Sequence, residues 1–375
     1  MNERTEWLSQ PGLAVVKVGT NVLADAHGHL DTHRIQQLAD QLQRWMTAGW
    51  KIALVSSGAI GAGVGKLNLG KRPTDLPHLQ ACAAVGQTAL MQEYIRAFAP
   101  HGLIPAQMLL TAADFENRTR YLNARHTMYT LLEYGCVPVI NENDTVSVAE
   151  IKFGDNDHLA ALVANLLRAK LTVLLTNVDG LFDGDPRSDA RAKRVPVVSA
   201  FDDDIHGLAK ATKSALGTGG MGSKLKAAQL ACSVGSAVII ANGSRDGILD
   251  DIRTGADVGT LFVPKANSAT AFKTWLGKVR QPKGTLTLDA GAVRALLEKG
   301  KSLLAVGVTS VSGSFSRGDV VGVCNAAGEE LGRGLVNYNS ADAMRMIGKT
   351  TEQIEQLLGK VPYTELLHRD NFAAG

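Results

Sequence analysis

The chain has 375 residues, more than one hydrophobic core usually serves, so two domains are expected. Hydrophobic residues make up 45% and charged residues 20%, the composition of an ordinary soluble globular protein. A balance of 39 basic against 36 acidic residues, net +3, gives little pull toward nucleic acid or a membrane surface.

The four cysteines, Cys82, Cys136, Cys232 and Cys324, are far apart and form no C-x-x-C pair. Buried, reduced thiols are expected rather than a zinc site or a disulfide framework. The opening MNERTEWLSQ carries charges of both signs and no apolar core of a signal peptide. No apolar run approaches the ~20 residues that span a bilayer. The expected compartment is the cytoplasm.

In chain order, LAVVKV (13–18) is a β-branched run ending at Gly19, a buried strand entering a turn. Ile35, Leu38, Leu42, Trp45 and Met46 recur at helical steps up to Gly49. KIALVSSG (51–58) is a second strand, and strand, helix, strand implies a parallel, right-handed unit. The alternation continues: a helix over 79–98, a strand over 105–110, a helix over 125–133, then CVPVINEND (136–144). A helix over 158–168 feeds LTVLLTNVDG (171–180), and a helix from Ser223 leads to SAVIIANG (236–243). The pattern predicts an α/β fold, an open, mostly parallel sheet sandwiched by helices. Ligands of such sheets gather at the carboxyl ends of the strands, where Gly19, Ser57, Asn141 to Asp144, Thr176 and Asn242 fall.

From about Lys265 the texture changes. Residues 1–265 read as one domain, 266–282 as a linker and 283–375 as a smaller β-rich domain with glycine-punctuated strands.

Several glycine runs compete as phosphate cradles. GKLNLGKR (65–72) has Arg72 where a P-loop needs Ser or Thr, and EKGKS (298–302) reads as a helix C-terminus. GAIGAGVG (58–65) breaks the dinucleotide-binding spacing. GTGGMGSK (217–224) also reverses the P-loop order, yet it opens directly into a helix. Free backbone N–H groups and the helix dipole attract anions there, and Lys224 adds a charge in the first turn. A plain linker is the bland alternative. Lys17 sits in an otherwise apolar strand, which is costly unless its ammonium meets a ligand, a carboxylate or solvent. Two lysines at strand ends of one sheet are placed to bracket a transferring phosphoryl group.

These residues carry a resemblance. VVKVGTNVL (15–23), SSGAIGAG (56–63), YLNAR (121–125), PVINENDTV (138–146), EIKFGDND (150–157), LLTNVDGLF (174–182) and GTGGMGSK closely resemble the glutamate 5-kinases of the amino acid kinase family. SVSGSFSRGDVV (310–321) resembles a PUA domain. The resemblance implies ATP-dependent phosphorylation of the γ-carboxylate of L-glutamate, the first step of proline synthesis. The substrates would be L-glutamate and ATP, with Mg2+, and no protein ligand for the metal is assigned. Matched by motif, Lys17, Lys224 and Asp157 would be catalytic, Asp157 pairing with both lysines. Lys17, Gly19, Thr176, Asn177, Thr218, Gly219, Gly220, Met221, Gly222, Ser223 and Lys224 would bind ATP. Ser57, Asn141, Asp144, Asp155 and Asn156 would bind glutamate, Asp144 facing its α-ammonium.

One departure is visible: many relatives have Asp where this chain has Asn177, and an amide offers hydrogen bonds without the charge. Proline as a feedback inhibitor and a homo-oligomer are further implications. The enzyme alternatives are acetylglutamate, aspartate or uridylate kinases. The alternative of another class is an RNA-binding protein. Residues 283–375, however, hold ten Lys or Arg and ten Asp or Glu, which argues against nucleic acid as the principal partner.

Overall fold

The computed structural model describes residues 3–25, 30–147, 156–186, 188–189, 191–211, 220–264, 282–358 and 363–374. The chain divides into two compact units, Met1–Ser268 and Ala269–Gly375.

The first unit runs α1 (Glu3–Leu8), β1 (Leu13–Val18), α2 (Thr20–Leu23), α3 (Thr32–Thr47), β2 (Lys51–Ser56), α4 (Ala59–Lys66), α5 (Leu76–Phe98), β3 (Pro105–Leu110), α6 (Ala112–Glu116), α7 (Arg118–Glu133) and β4 (Val137–Glu142). It continues with α8 (Asn156–Leu167), β5 (Leu171–Thr176), β6 (Val197–Val198), α9 (Asp203–Ala211), α10 (Met221–Ser233), β7 (Ala237–Asn242), α11 (Ile248–Arg253) and β8 (Thr260–Phe262). Its sheet has the order β3-β4-β2-β1-β5-β7-β8-β6. All neighbours pair in parallel except β7 and β8. This is the mostly parallel α/β sheet expected from the alternating pattern.

Side chains alternate across β1, so its two faces serve two cores. Val16 and Val18 join Leu42, Trp45, Ile52 and Leu90 on one face. Val15 points to the other, with Leu159, Ala160 and Val163 of α8 and Leu225 and Ala228 of α10. Lys17, two residues after Val15, therefore faces α8 and α10.

Helices α5 and α7 begin three and seven residues earlier than the apolar periodicity indicates, because caps rather than periodicity set their starts. Asp75 accepts from the His78 N–H at 3.2 Å ahead of α5, and Asn117 accepts from the Arg120 N–H at 3.1 Å ahead of α7. The helix α1 was not legible at all. Its Arg4, fully buried, donates to the carbonyls of Val258 (2.6 Å), Pro196 and Gly259 (2.8 Å each) and so ties the first turn to the β8 edge.

The run GAIGAGVG turns out to be α4, and its glycines answer to packing. A Cβ on Gly63 would fall 1.8 Å from the Cys82 carbonyl oxygen, and one on Gly86 1.8 Å from that of Ala59. Backbone-to-backbone contact between α4 and α5 is possible only without those side chains.

The second unit has a six-stranded sheet from β9 (Gly284–Leu288), β10 (Leu303–Leu304), β11 (Val308–Gly313), β12 (Val320–Cys324), β13 (Glu330–Val336) and β14 (Glu365–Ala374), in the order β10-β14-β13-β12-β9-β11. Leu286, Leu288, Val321, Val323, Phe315 and Leu367 form its separate core. All four cysteines are free. Cys82 and Cys232 are buried as expected, and burial pushes the Cys232 thiol up to about 12. Cys136 and Cys324, at less enclosed positions, are only partly covered. Among the described residues no helix is long and apolar enough to cross a membrane.

Candidate active site

The parallel strands end on one edge of the sheet, and short backbone bonds hold those ends together. The Gly19 N–H donates to the Leu175 carbonyl at 3.3 Å, Ser57 N–H to Val18 at 3.1 Å and Gly243 N–H to Thr176 at 2.7 Å. Gly19 also begins α2, and the residue after Ser57, Gly58, begins α4 with φ +103°, a conformation suited to glycine.

Three charged side chains converge just beneath this edge. Lys17 is the penultimate residue of β1, Asp157 the second of α8, and Lys224 lies in the first turn of α10. Lys17 Nζ is 2.6 Å from Asp157 Oδ1, and Lys224 Nζ is 3.0 Å from Asp157 Oδ2. Lys17 is 4% exposed, Lys224 7% and Asp157 not at all. Burying an ammonium is expensive unless a counter-charge is at hand. Here one carboxylate serves two cations, one oxygen each, and both ammonium groups are held in a nearly dry place. Such a cluster is suited to an anion.

The start of α10 lies next to the same cluster. Its N-cap, Gly220, is extended and offers no side chain, while its carbonyl accepts from the Ser223 hydroxyl at 2.8 Å and the Ser223 N–H at 3.2 Å.

Beside the cluster runs a chain of neutral amides. Asn156 Nδ2 lies 2.9 Å from both the Ser57 hydroxyl oxygen and the Ser56 carbonyl, and 3.0 Å from Asn141 Oδ1. Asn141 Nδ2 in turn donates to Gln87 Oε1 at 2.9 Å. Asp144 sits in the turn after β4, where Asn143 O accepts from Val146 N–H (3.2 Å) and Ser147 N–H (3.1 Å). Gln80 donates to the Ser147 carbonyl at 3.1 Å and pins that turn to α5.

An amino acid kinase family model matches residues 12–242, and a PUA domain model matches residues 284–358. The chain belongs to the amino acid kinase family. A glutamate 5-kinase of Caldanaerobacter subterraneus subsp. tengcongensis is 46% identical to this amino acid kinase over 357 residues, covering 95% of this chain and 96% of the relative. A glutamate 5-kinase of Nitrosococcus oceani is 47% identical over 357 residues, covering 95% of each. One of Pseudomonas aeruginosa is 48% identical over 358 residues, covering 95% of this chain and 96% of that one.

In this amino acid kinase, the residues singled out from the sequence are placed as follows. Lys17, Asp157 and Lys224 meet in one cluster, with Gly19 and Gly220 to Ser223 at the adjoining turns. Ser57, Asn141 and Asn156 share the amide chain. Asp155, Thr218 and Gly219 lie outside the described residues. Thr176 and Asn177 stand at the end of β5, where Thr176 Oγ1 is 3.4 Å from Asn177 Oδ1. Two residues on from Asn177, the Asp179 carboxylate accepts from Asn242 Nδ2 at 3.1 Å. Gln87 was missed altogether. It lies on α5, and no motif or spacing connects it with β4.

Proposed function

We propose that this chain transfers the γ-phosphoryl group of ATP to the γ-carboxylate of L-glutamate, the activity named for its relatives. The observation that carries the reading is the buried Lys17–Asp157–Lys224 cluster at the carboxyl ends of the strands.

Phosphoryl transfer asks a protein mainly for alignment and for neutralisation of the equatorial oxygens. In this reading Lys17 and Lys224 hold those oxygens from two sides, and Asp157 keeps the ammonium groups apart and oriented. Gly19, Gly219 and Gly220 give backbone donors to the ATP phosphates, and Thr176, Asn177, Thr218, Met221, Gly222 and Ser223 are assigned to the nucleotide. The attacking carboxylate is ionised at neutral pH, so no general base is required. Ser57, Asn141, Asp144, Asp155 and Asn156 take the glutamate, Asp144 through its ammonium.

Among the described residues no group of three or more His, Cys, Asp or Glu could hold a metal. Mg2+ enters this proposal together with ATP, whose phosphate oxygens are suited to it, and no protein ligand for it is assigned. A catalytic part over 1–265, a linker over 266–282, a PUA part over 283–375, a cytoplasmic location, inhibition by proline and a homo-oligomer belong to the same proposal.

The test is ADP release together with acyl phosphate trapped by hydroxylamine, run with glutamate, aspartate, N-acetylglutamate and UMP. Turnover with glutamate supports the reading; turnover with one of the other acceptors in its place overturns it.

A further inference from the structure

The amide chain beside the lysine cluster has an internal logic that fixes the role of its last member. Asn141 Oδ1 accepts from the backbone N–H of Glu142 at 2.9 Å and from Asn156 Nδ2 at 3.0 Å. A backbone N–H can only donate, so the oxygen of the Asn141 amide must be on that side. Its Nδ2 then points the other way and requires an acceptor, which is Gln87 Oε1 at 2.9 Å. That in turn fixes the Gln87 amide, whose Nε2 is buried and has no hydrogen-bond partner among the described residues.

We infer that Gln87 is a positioning residue of the acceptor subsite. Its carbonyl oxygen locks the Asn141 amide in the one orientation that holds Asn156, and through Asn156 the hydroxyl of Ser57, in place for the acceptor amino acid. The inference rests on the assignment of Ser57, Asn141 and Asn156 to glutamate in the proposed function.

Two observations argue that this is more than packing. Asn141 is 3% and Gln87 8% exposed, so neither amide can exchange its partner for bulk water. The orphan Nε2 is destabilising, which means that the fold alone gains little from an amide at this position. The backbone beneath Gln87 is also fixed, because Gly86 rests against the Ala59 carbonyl, in the turn that follows Ser57. The bonds named in this network run among Gln87, Asn141, Glu142, Asn156, Ser56 and Ser57, so the nucleotide side should respond little to its loss.

The experiment is steady-state kinetics on full-length Gln87→Met and Gln87→Glu beside the parent chain. Gln87→Met removes the acceptor; a rise in the KM for glutamate of roughly tenfold is expected, with the KM for ATP within about twofold. Gln87→Glu keeps an acceptor oxygen but adds a buried charge beside a dicarboxylate site. Its KM for glutamate should be high at pH 8 and fall toward the parent value at pH 6, because a protonated carboxyl offers one acceptor and one donor as the amide does. Thermal melts show whether each variant is folded. An unchanged KM for glutamate in Gln87→Met, equal loss for both substrates, or a pH-independent Gln87→Glu overturns the inference. Failure of the parent chain to phosphorylate glutamate would instead overturn the proposed function, so the two failures are distinct.

Discussion

Lys17 and Lys224, held 2.6 and 3.0 Å from the two oxygens of Asp157, both pair with that one buried carboxylate. Loss of that carboxylate removes a buried counter-charge from both ammonium groups at once. Asp157→Asn is therefore expected to lower stability by about 3–5 kcal/mol, the scale for breaking a buried pair. Turnover should fall at least about a hundredfold as the two cations lose their alignment. Urea denaturation and initial rates check the two effects separately, and a variant of parent stability would mean that the ammonium groups are solvated.

Lys224→Ala isolates one of the two cations. Its charge is needed most as the phosphoryl group leaves ATP, so kcat should fall by the equivalent of about 2–4 kcal/mol while the KM for glutamate changes little. A near-normal kcat would remove Lys224 from the mechanism.

Asp144 lies in the turn after β4, whereas the proposed nucleotide residues Gly220 to Lys224 open α10. Asp144→Ala should weaken glutamate binding and leave ATP binding intact. Isothermal titration with each ligand in turn decides this, and equal loss of both affinities would show that the site is misassigned.

Gly63→Ala tests the contact between α4 and α5. With the new Cβ placed 1.8 Å from the Cys82 carbonyl oxygen, the helices must separate. A loss of about 1–3 kcal/mol in chemical denaturation is expected, the range for overpacking. The KM for glutamate should rise with it, since α4 starts one residue beyond Gly58 and carries Ser57 at its entry.

Each unit has its own core, so a chain of residues 1–265 should fold and keep both lysines, Asp157 and the amide chain. Acyl phosphate formation by that fragment, compared with the full chain for rate, proline response and sedimentation, checks the expectation. A folded but inactive fragment would place the second unit in the catalytic assembly.

Much of this protein is determined locally. The β-branched run around Val15 and Val16, the helical spacing of Ile35, Leu38 and Leu42, and the glycines that close these elements specify the parallel α/β sheet, because backbone period and side-chain burial are properties of short segments. The chemistry of Lys17 was legible for the same reason: a cation in an apolar strand requires an explanation. Caps shifted the starts of α5 and α7, since a single Asp or Asn overrides the apolar pattern at a helix end. The glycines of α4 are ambiguous in sequence, because a phosphate loop and a close helix crossing ask for the same missing side chain, and only the position of Cys82 and Ala59 separates the two. The meeting of Lys17, Asp157 and Lys224 was implied by the family resemblance and by no local pattern, whereas the anchoring of Arg4 beneath Val258 and the bond from Gln87 to Asn141 were decided by tertiary structure alone. They join residues far apart in the chain, and contacts across a fold depend on how elements pack, which no local period or spacing records.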